Sequence, residues 1–308
     1  MIDLYKNIFR LFTPSLNKLL GYSKNDKILL VNIDDVGFHK DETRATFEIF
    51  KYGFVKSGSV MVPCPNFDHV VKLYKANQEY GLGIHLTLTC EWGQNYPWSP
   101  ILPKHAVPTL YNHQGIMWPD VKSLLKNGNR KEIYMEMEAQ ITTMINAGID
   151  PTHIDHHMDF YYNKYLFSDV MNLSMKYNLP MRVWRSKRFH LPFIKNNLIS
   201  LRKCGLVFPD TQMGIYNASP DVLGYKSRRQ KYINYISELN PGLHNIKLHV
   251  ALQSPDIKNI MGEHHAKIRN IDYEIWSSKN IVEIAKKNGL KSISYKPLQK
   301  LQKTLLRK

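Results

Sequence analysis

The stretch "KILLVNIDDVG" (27–37) sets the pattern of this chain, because a short apolar run is followed at once by polar residues and a glycine. The run "KILLVNI" (27–33) predicts a buried strand. The amphipathic stretch that comes next, "DETRATFEIFKYG" (41–53), predicts a helix that ends at Gly53. A strand followed by a helix is the repeating unit of a parallel sheet with crossover helices.

The same unit recurs over most of the 308 residues. Further apolar runs predict strands at 57–63, 81–88, 151–157, 179–184, 245–252 and 291–295. Further amphipathic stretches, which end at Gly81, Gly148 and Gly289, predict helices at 67–81, 130–148 and 275–289. The alternation predicts an α/β fold, a TIM-barrel-like (β/α) barrel that is irregular or incomplete, in a single domain over residues 26–296.

One segment, residues 90–120, interrupts the alternation with five prolines and three of the chain's five tryptophans. A connection of this length without a helical or strand pattern is uncommon in a compact domain unless it has a function. We therefore predict a long functional loop or an insertion that carries Trp92, Trp98 and Trp118.

Composition narrows the classes of protein to which the chain can belong. With 43% apolar residues it can bury a sizeable core, and it has no apolar run long enough to span a membrane and no signal-peptide pattern. The three cysteines are far apart and form no C-x-x-C pair, which favours a reducing cytoplasm. The net charge of +16 attracts anionic partners, but no zinc-finger, RNP-like or helix-turn-helix pattern indicates specific nucleic-acid binding.

Polar residues follow the predicted strands at the end where active sites of parallel α/β folds lie. The stretch "THIDHHMDF" (152–160) is the richest of these positions. Extended, it would turn His153, Asp155, His157 and Asp159 to one face and His156 to the other. The stretch alone fits a metal-binding strand or a polar turn. The other strands contribute Asp34, Asp35, His85, Arg182 and His249.

Each of these residues has a structural explanation by itself, but one site explains all of them together. The set favours a single metal ion held by one carboxylate and two imidazoles. Of the adjacent pair Asp34 and Asp35, one could bind the metal while the other deprotonates the attacking water as general base.

At these residues the sequence resembles the YdjC/ChbG family of carbohydrate deacetylases, which remove acetyl groups from N-acetylated sugars. The similar segments lie in order over residues 28–295 and read "VNIDDVG" (31–37), "GLGIHLTLT" (81–89), "PTHIDHHMD" (151–159) and, more weakly, "LPMRV" (179–183) and "LHVAL" (248–252). The resemblance implies a TIM-barrel-like fold, a divalent metal and a sugar substrate.

Carried over to this chain, the resemblance makes Asp35, His85 and His157 the metal ligands and Asp34 the general base. His249 becomes the candidate general acid, although "HVA" stands where the family usually has His-Pro-Gly. The expected cofactor is one divalent ion, Mg²⁺ or Zn²⁺, with Mn²⁺ and Co²⁺ as alternatives.

Further residues are expected to support catalysis or to contact the sugar. Arg182 could orient Asp34 or keep it ionised. Trp92, Trp98 and Trp118 could stack on sugar rings, although loop aromatics as often pack locally. His156 stands where the family often has a small residue, and we expect it to contact the substrate or perturb the metal site.

Two alternatives stay open at this stage. The pair His153 and Asp155 with a distant histidine imitates the site of an Fe(II) oxygenase, although those enzymes commonly have all-β folds. The other alternative is a basic, non-catalytic module on a degenerate barrel that binds a glycan or a membrane.

The two ends flank the predicted barrel as a basic amphipathic segment, 1–25, and a basic tail, 297–308. We expect them to cap the barrel, with their lysines in solvent. The alternative is that they rest a cytoplasmic enzyme on the inner, anionic face of the membrane, which would suit a lipid-linked glycan substrate.

Overall fold

The fold is an open barrel of parallel strands, seen in a computed structural model that describes residues 15–183, 205–215 and 224–306. The strands are hydrogen-bonded in the order β4-β3-β2-β1-β6-β5, and β7 also pairs with β1. Every pair is parallel. The strands are β1 Lys27–Val36, β2 Ser57–Val60, β3 Gly81–Leu86, β4 Ile154–His156, β5 Thr211–Gly214, β6 Gly242–Leu248 and β7 Leu290–Ile293.

Helices connect the strands and cover the sheet, so the prediction of an incomplete (β/α) barrel is confirmed. The main core lies between the sheet and these helices. The α-helices are α1 Leu16–Leu19, α2 Lys40–Lys51, α3 Phe67–Lys75, α4 Val121–Asn127, α5 Arg130–Asn146, α6 Lys164–Lys176, α7 Tyr225–Glu238, α8 Pro255–Trp276, α9 Lys279–Lys287 and α10 Lys296–Leu305. Short 3₁₀ turns occupy Pro108–Leu110 and His157–Tyr162.

Strand β1 is the centre of the sheet because it pairs with three other strands. Its residues 27–33 pair with β6. Along its other edge, residues 27–30 pair with β7 and the carboxyl-terminal part, from Asn32 to Val36, pairs with β2. Strand β7 therefore enters at the amino-terminal end of the barrel, below the point where β2 begins.

The amino-terminal end of the barrel is filled by apolar side chains. Ile28, Leu30, Leu243, Ile293 and Tyr295 belong to one buried cluster there. Helix α1 contributes Leu16 to it, and α10 contributes Leu298, Leu301 and Leu305. The described part of the predicted 297–308 tail is thus a packed helix. Residues 1–14 of the predicted amino-terminal segment lie outside the described residues.

Several elements differ from the sequence-based prediction. The predicted strand at 179–184 is reduced, within its described residues, to one bridge between Met181 and Ile154. Gly81 begins β3 and does not cap α3, which ends at Lys75. Strand β5 was not predicted, nor was most of α8, which bends at Gly262. Within the three described ranges, no helix has the length and apolar character needed to cross a bilayer.

Gly83 is the glycine most restricted by close packing, because a Cβ atom there would lie 2.3 Å from the ring of His153. That ring is itself stacked on Tyr295, with ring centroids 3.7 Å apart. We expect Gly83→Ala to destabilise the protein by about 1–3 kcal/mol through overpacking.

The measurement is urea unfolding of Gly83→Ala alone and in a His153→Ala background. The cost of the added methyl group should shrink once the ring is gone, since the two changes share one space. An equal cost in both backgrounds would show that the strain has another origin.

Candidate active site

The site begins with an irregularity at the carboxyl end of β1. Between Ile33 and Val36 the pairing register of β1 with β2 shifts, which is the signature of a β-bulge. Adjacent residues of a regular strand face opposite sides. Here Asp35 has φ +62°, a left-handed conformation that is uncommon for residues other than glycine, although aspartate adopts it more readily than most. The distortion lets the carboxylates of Asp34 and Asp35 serve the same buried site.

Asp34 is held by charged and polar side chains of the barrel interior. Arg182 donates two hydrogen bonds to it, from Nη1 at 2.6 Å and Nη2 at 2.7 Å. The side-chain amide of Asn32 donates a third at 2.9 Å. Burial alone would raise the pKa of Asp34, but the positive charges of Arg182 and His85, with the hydrogen bonds from Arg182, together outweigh it and the pKa is lowered. Asp34 is therefore ionised and held in a fixed orientation.

The two oxygens of Asp35 have different surroundings. Nη2 of Arg269 donates a hydrogen bond to Oδ2 at 2.8 Å. Oδ1 is buried and accepts no well-formed hydrogen bond from the described residues. Instead, Nε2 of His85 lies 3.0 Å from Oδ1 and Nδ1 of His157 lies 3.3 Å from it. Three potential ligand atoms converge at this point.

This trio fits a divalent metal. Ligand atoms bound at about 2.0–2.2 Å around a tetrahedral ion are separated by roughly 3.3–3.6 Å, close to the separations found. The unsatisfied oxygen of Asp35 gains a partner if an ion is bound. The described residues also place Asp34, His85 and Asp155 close enough to form a second group. Its carboxylates, however, already accept hydrogen bonds from Arg182, Asn32 and His85.

The two histidines are fixed from their far sides by carboxylates. Nδ1 of His85 lies 2.7 Å from Oδ1 of Asp155, and Nε2 of His157 lies 2.8 Å from Oε1 of Glu91. Burial alone would lower both pKa values. Asp155 and Asp35 nevertheless raise the pKa of His85 to about 9, and Glu91 and Asp35 raise that of His157 to about 10. A metal at this position would compete with protons for the same nitrogens.

His249 stands at the open side of the site. Its Nε2 lies 4.0 Å from Oδ2 of Asp34 and 3.9 Å from Oδ2 of Asp35, and its side chain is 24% exposed. Partial burial lowers the pKa of His249, and the positive charge of Arg269 adds to this effect. The neutral ring is therefore the stable form at neutral pH, and it faces the same space as Asp34.

The stretch 152–160 follows the predicted alternation only in part. His153, Asp155 and His157 share the barrel interior, but φ becomes positive at Met158 and Asp159, so the alternation ends there. Asp159 consequently lies beside His156, 3.7 Å from its Nδ1. His156 is nearly buried and packs against Phe160, away from open solvent.

The three loop tryptophans do not form one exposed surface. Trp98 is 3% exposed and donates its indole N–H to the carbonyl of Thr89, so it has no free face for a sugar. Trp118 is partly buried and donates to the carbonyl of Thr109. Trp92 is also partly buried, between Phe38 and the guanidinium of Arg269. Trp98 and Trp118 hold the loop together, and Trp92 lies nearest to the site.

Sequence reasoning did not name Glu91 or Arg269. It placed Asp155 on the same face as His157 and in the oxygenase alternative, but not as the partner of His85. The rule that active residues follow strands could have found Glu91, which comes shortly after β3. Arg269 lies in the middle of α8, where no local pattern marks it.

Comparison with known proteins finds a family model that covers most of the chain. The family model described as "YdjC-like protein" matches residues 28–287. A carbohydrate deacetylase of Geobacillus stearothermophilus is 28% identical over 274 residues, which cover 88% of this chain and 98% of the relative. A chitooligosaccharide deacetylase of Yersinia enterocolitica is 28% identical over 163 residues, 52% of this chain and 60% of the relative.

A similar fold has been solved by crystallography. The protein is from Enterococcus faecalis V583 and is described as a proposed cellobiose-phosphate cleavage protein. It superposes with a TM-score of 0.73 at 26% identity, over 89% of this chain and 99% of the other.

The buried pair of Arg182 and Asp34 predicts a large effect on stability. Arg182→Met would leave Asp34 and Asp155 buried without their cation, and we expect it to cost about 3–5 kcal/mol. Arg130→Met is the matched control, since Arg130 makes the same two-bond contact with Asp169 but its side chain is 53% exposed. Urea unfolding should show a smaller loss for the control, because Arg130 is half exposed although Asp169 is buried. Similar losses in both variants would contradict this account of the site.

Proposed function

The chain belongs to the YdjC-like protein family, and from this premise we propose that it is a metal-dependent carbohydrate deacetylase that hydrolyses the acetamide group of N-acetylated sugars. The observation that carries the proposal is the convergence of Oδ1 of Asp35, Nε2 of His85 and Nδ1 of His157 beside a second, firmly oriented carboxylate, Asp34. Two relatives that are named as deacetylases of carbohydrates support the substrate class.

Asp35, His85 and His157 would hold the metal. A divalent ion bound there supplies a Lewis acid, which polarises the acetamide carbonyl and makes a water molecule easier to deprotonate. Two imidazoles and one carboxylate suit Zn²⁺ better than Mg²⁺, which prefers oxygen ligands, so we propose Zn²⁺ first and Mg²⁺, Mn²⁺ and Co²⁺ as alternatives.

Asp34 is the proposed general base. Its lowered pKa makes Asp34 a weak base. It would therefore need an attacking water whose own pKa has been lowered by a bound metal. Arg182 compensates by fixing the orientation of the carboxylate, which keeps one oxygen directed at the attacking water. Because Arg182 bonds to both oxygens and lowers the pKa of Asp34, the carboxylate is ionised at neutral pH before it accepts a proton from the water.

His249 is the proposed general acid for the leaving amine. Since its ring is neutral at neutral pH, it must first receive a proton during the reaction. Asp34 is the nearest donor of that proton after it has deprotonated the water, because Oδ2 of Asp34 and Nε2 of His249 face the same space at 4.0 Å. The proton would thus travel from water to Asp34, to His249 and to the amine nitrogen.

The other functions considered from the sequence receive less support. An oxygenase site would use His153, but that ring is fully buried and stacked on Tyr295. A degenerate, non-catalytic barrel would be expected to lack some of the catalytic groups. In this chain the candidate base, the three candidate ligands and the candidate acid lie together. Trp92 and His156 stay candidates for substrate contact, with Trp92 the better placed.

A cytoplasmic location and contact with an anionic membrane stay predictions. Cys64 and Cys90, the cysteines within the described residues, are free and buried, as expected in a reducing compartment. Leu298 is buried and Leu301 and Leu305 pack against the same cluster, so the leucines of α10 face the barrel end, away from where a lipid surface would lie.

Substitutions should separate the ligands from the base. Asp35→Ala, His85→Ala and His157→Ala should each lower the metal content and the activity. Asp34→Asn should keep the metal and lose about 10²–10⁴-fold in kcat, because a base is removed while the shape is retained. Elemental analysis and kinetics on the same preparations test this. If Asp34→Asn loses the metal and Asp35→Asn keeps it, the two roles must be exchanged.

Acetate release tests the reaction itself. Metal-replete protein should release acetate from N-acetylglucosamine oligomers, and a chelator should abolish the release until the metal is restored. The matched control is the same glycan acetylated on oxygen, which has no amide bond. Failure to hydrolyse any N-acetylated glycan in a panel of free, nucleotide-linked and lipid-linked substrates would overturn the proposal.

A further inference from the structure

Glu91 holds the outer face of His157. It is the second residue of the 90–120 loop, and its Oε1 accepts a hydrogen bond from Nε2 of His157 at 2.8 Å. In a neutral histidine whose Nε2–H donates to a carboxylate, the remaining proton is held on Nε2 and the lone pair is on Nδ1. That nitrogen is the one directed at Oδ1 of Asp35. Glu91 therefore selects both the tautomer and the ring orientation of His157.

The residue next to Glu91 contacts the arginine that holds the other side of Asp35. The ring of Trp92 lies under the guanidinium of Arg269, 5.5 Å from ring centroid to Cζ. Arg269 in turn donates to Oδ2 of Asp35 and to Glu42. Because Oδ2 is engaged in this way, Oδ1 is the oxygen left to face the two histidines. The dipeptide Glu91-Trp92 thus contacts one candidate ligand, His157, directly, and another, Asp35, through Arg269.

We infer that Glu91 is a positioning residue for the metal site. Through Glu91 and Trp92, an ordered 90–120 loop strengthens metal binding, and bound metal in turn stabilises the ordered loop. The inference rests on the metal-binding part of the proposed function. Coupling of this kind is reciprocal: if an ordered loop improves metal binding, bound metal must stabilise the loop to the same extent.

Glu136 provides a matched control. It is a fully buried glutamate that also anchors the loop, since it accepts hydrogen bonds from the backbone N–H groups of Ile101 and Leu102. It contacts none of the three ligands among its described hydrogen bonds. A glutamate that merely keeps the loop folded should therefore behave like Glu136, and a positioning residue should not.

The first experiment measures the Zn²⁺ dissociation constant by competition with a chromogenic chelator. Glu91→Ala should raise it about 10- to 100-fold, the usual effect of removing the partner of a ligating histidine. Glu91→Gln should raise it less, because the amide oxygen still accepts from Nε2, and Glu136→Gln should leave it unchanged. Far-ultraviolet circular dichroism checks that each variant is folded, and Glu91→Gln provides the test if Glu91→Ala does not fold.

The second experiment measures hydrogen exchange of residues 92–118 with and without Zn²⁺. Zn²⁺ should slow exchange in the wild-type protein and in Glu136→Gln, and slow it less in the Glu91 variants. The inference is overturned, while the proposed function stands, if Zn²⁺ affinity is unchanged in both Glu91 variants or if Glu136→Gln loses as much Zn²⁺ affinity as they do. A wild-type protein that binds no Zn²⁺, Mg²⁺, Mn²⁺ or Co²⁺ would overturn the proposed function with it.

Discussion

One extra residue in β1 is the constraint from which the site follows. Without the bulge, Asp34 and Asp35 would point to opposite faces of the sheet, one into the barrel and one towards the helices. With it, the left-handed residue Asp35 brings a second carboxylate to the site, and Gly37, also at positive φ, completes the turn away from the strand. The conformational cost of Asp35 is offset by contacts made only in this arrangement: those with His85, His157 and Arg269.

Two acidic groups so close together would not remain ionised in a buried place unless cations opposed them. Arg182 and Arg269 supply this opposition from different directions, one for each aspartate. Because each aspartate has its own arginine, the two carboxylates also differ in which of their oxygens can react or bind a metal. Both oxygens of Asp34 accept hydrogen bonds from the covalently fixed cation Arg182. Among the described residues, only Oδ2 of Asp35 accepts one, from Arg269, so Oδ1 is available to bind a metal ion. Asp34 and Asp35 are chemically identical, so the difference between their proposed roles comes from the side chains that surround each of them.

The sequence alone predicts those strands and helices that have a clear pattern of apolar residues along the chain. Strands such as β1 and β3 are buried on both faces and therefore read as continuous apolar runs. Strand β5, "TQMG", is only partly buried, so it has no such run, and α8 was missed in part because Gly262 breaks its periodicity. The six residues assigned to metal binding and catalysis do meet in space. Arg269 could not be found, because its partner Asp35 is distant along the chain and no spacing rule links a mid-helix arginine to a strand end.

The stacked rings of His153 and Tyr295, with the apolar cluster beneath them, close the barrel under the site. Within the described residues, this packed end is opposite to the side where His249 is partly exposed, so a substrate would approach from the side of His249. The 90–120 loop contributes Glu91 and Trp92 next to the site, so a sugar bound there would lie close to the loop. For an acetamide hydrolysis, the rate of product release would then depend on how tightly the loop holds the deacetylated sugar.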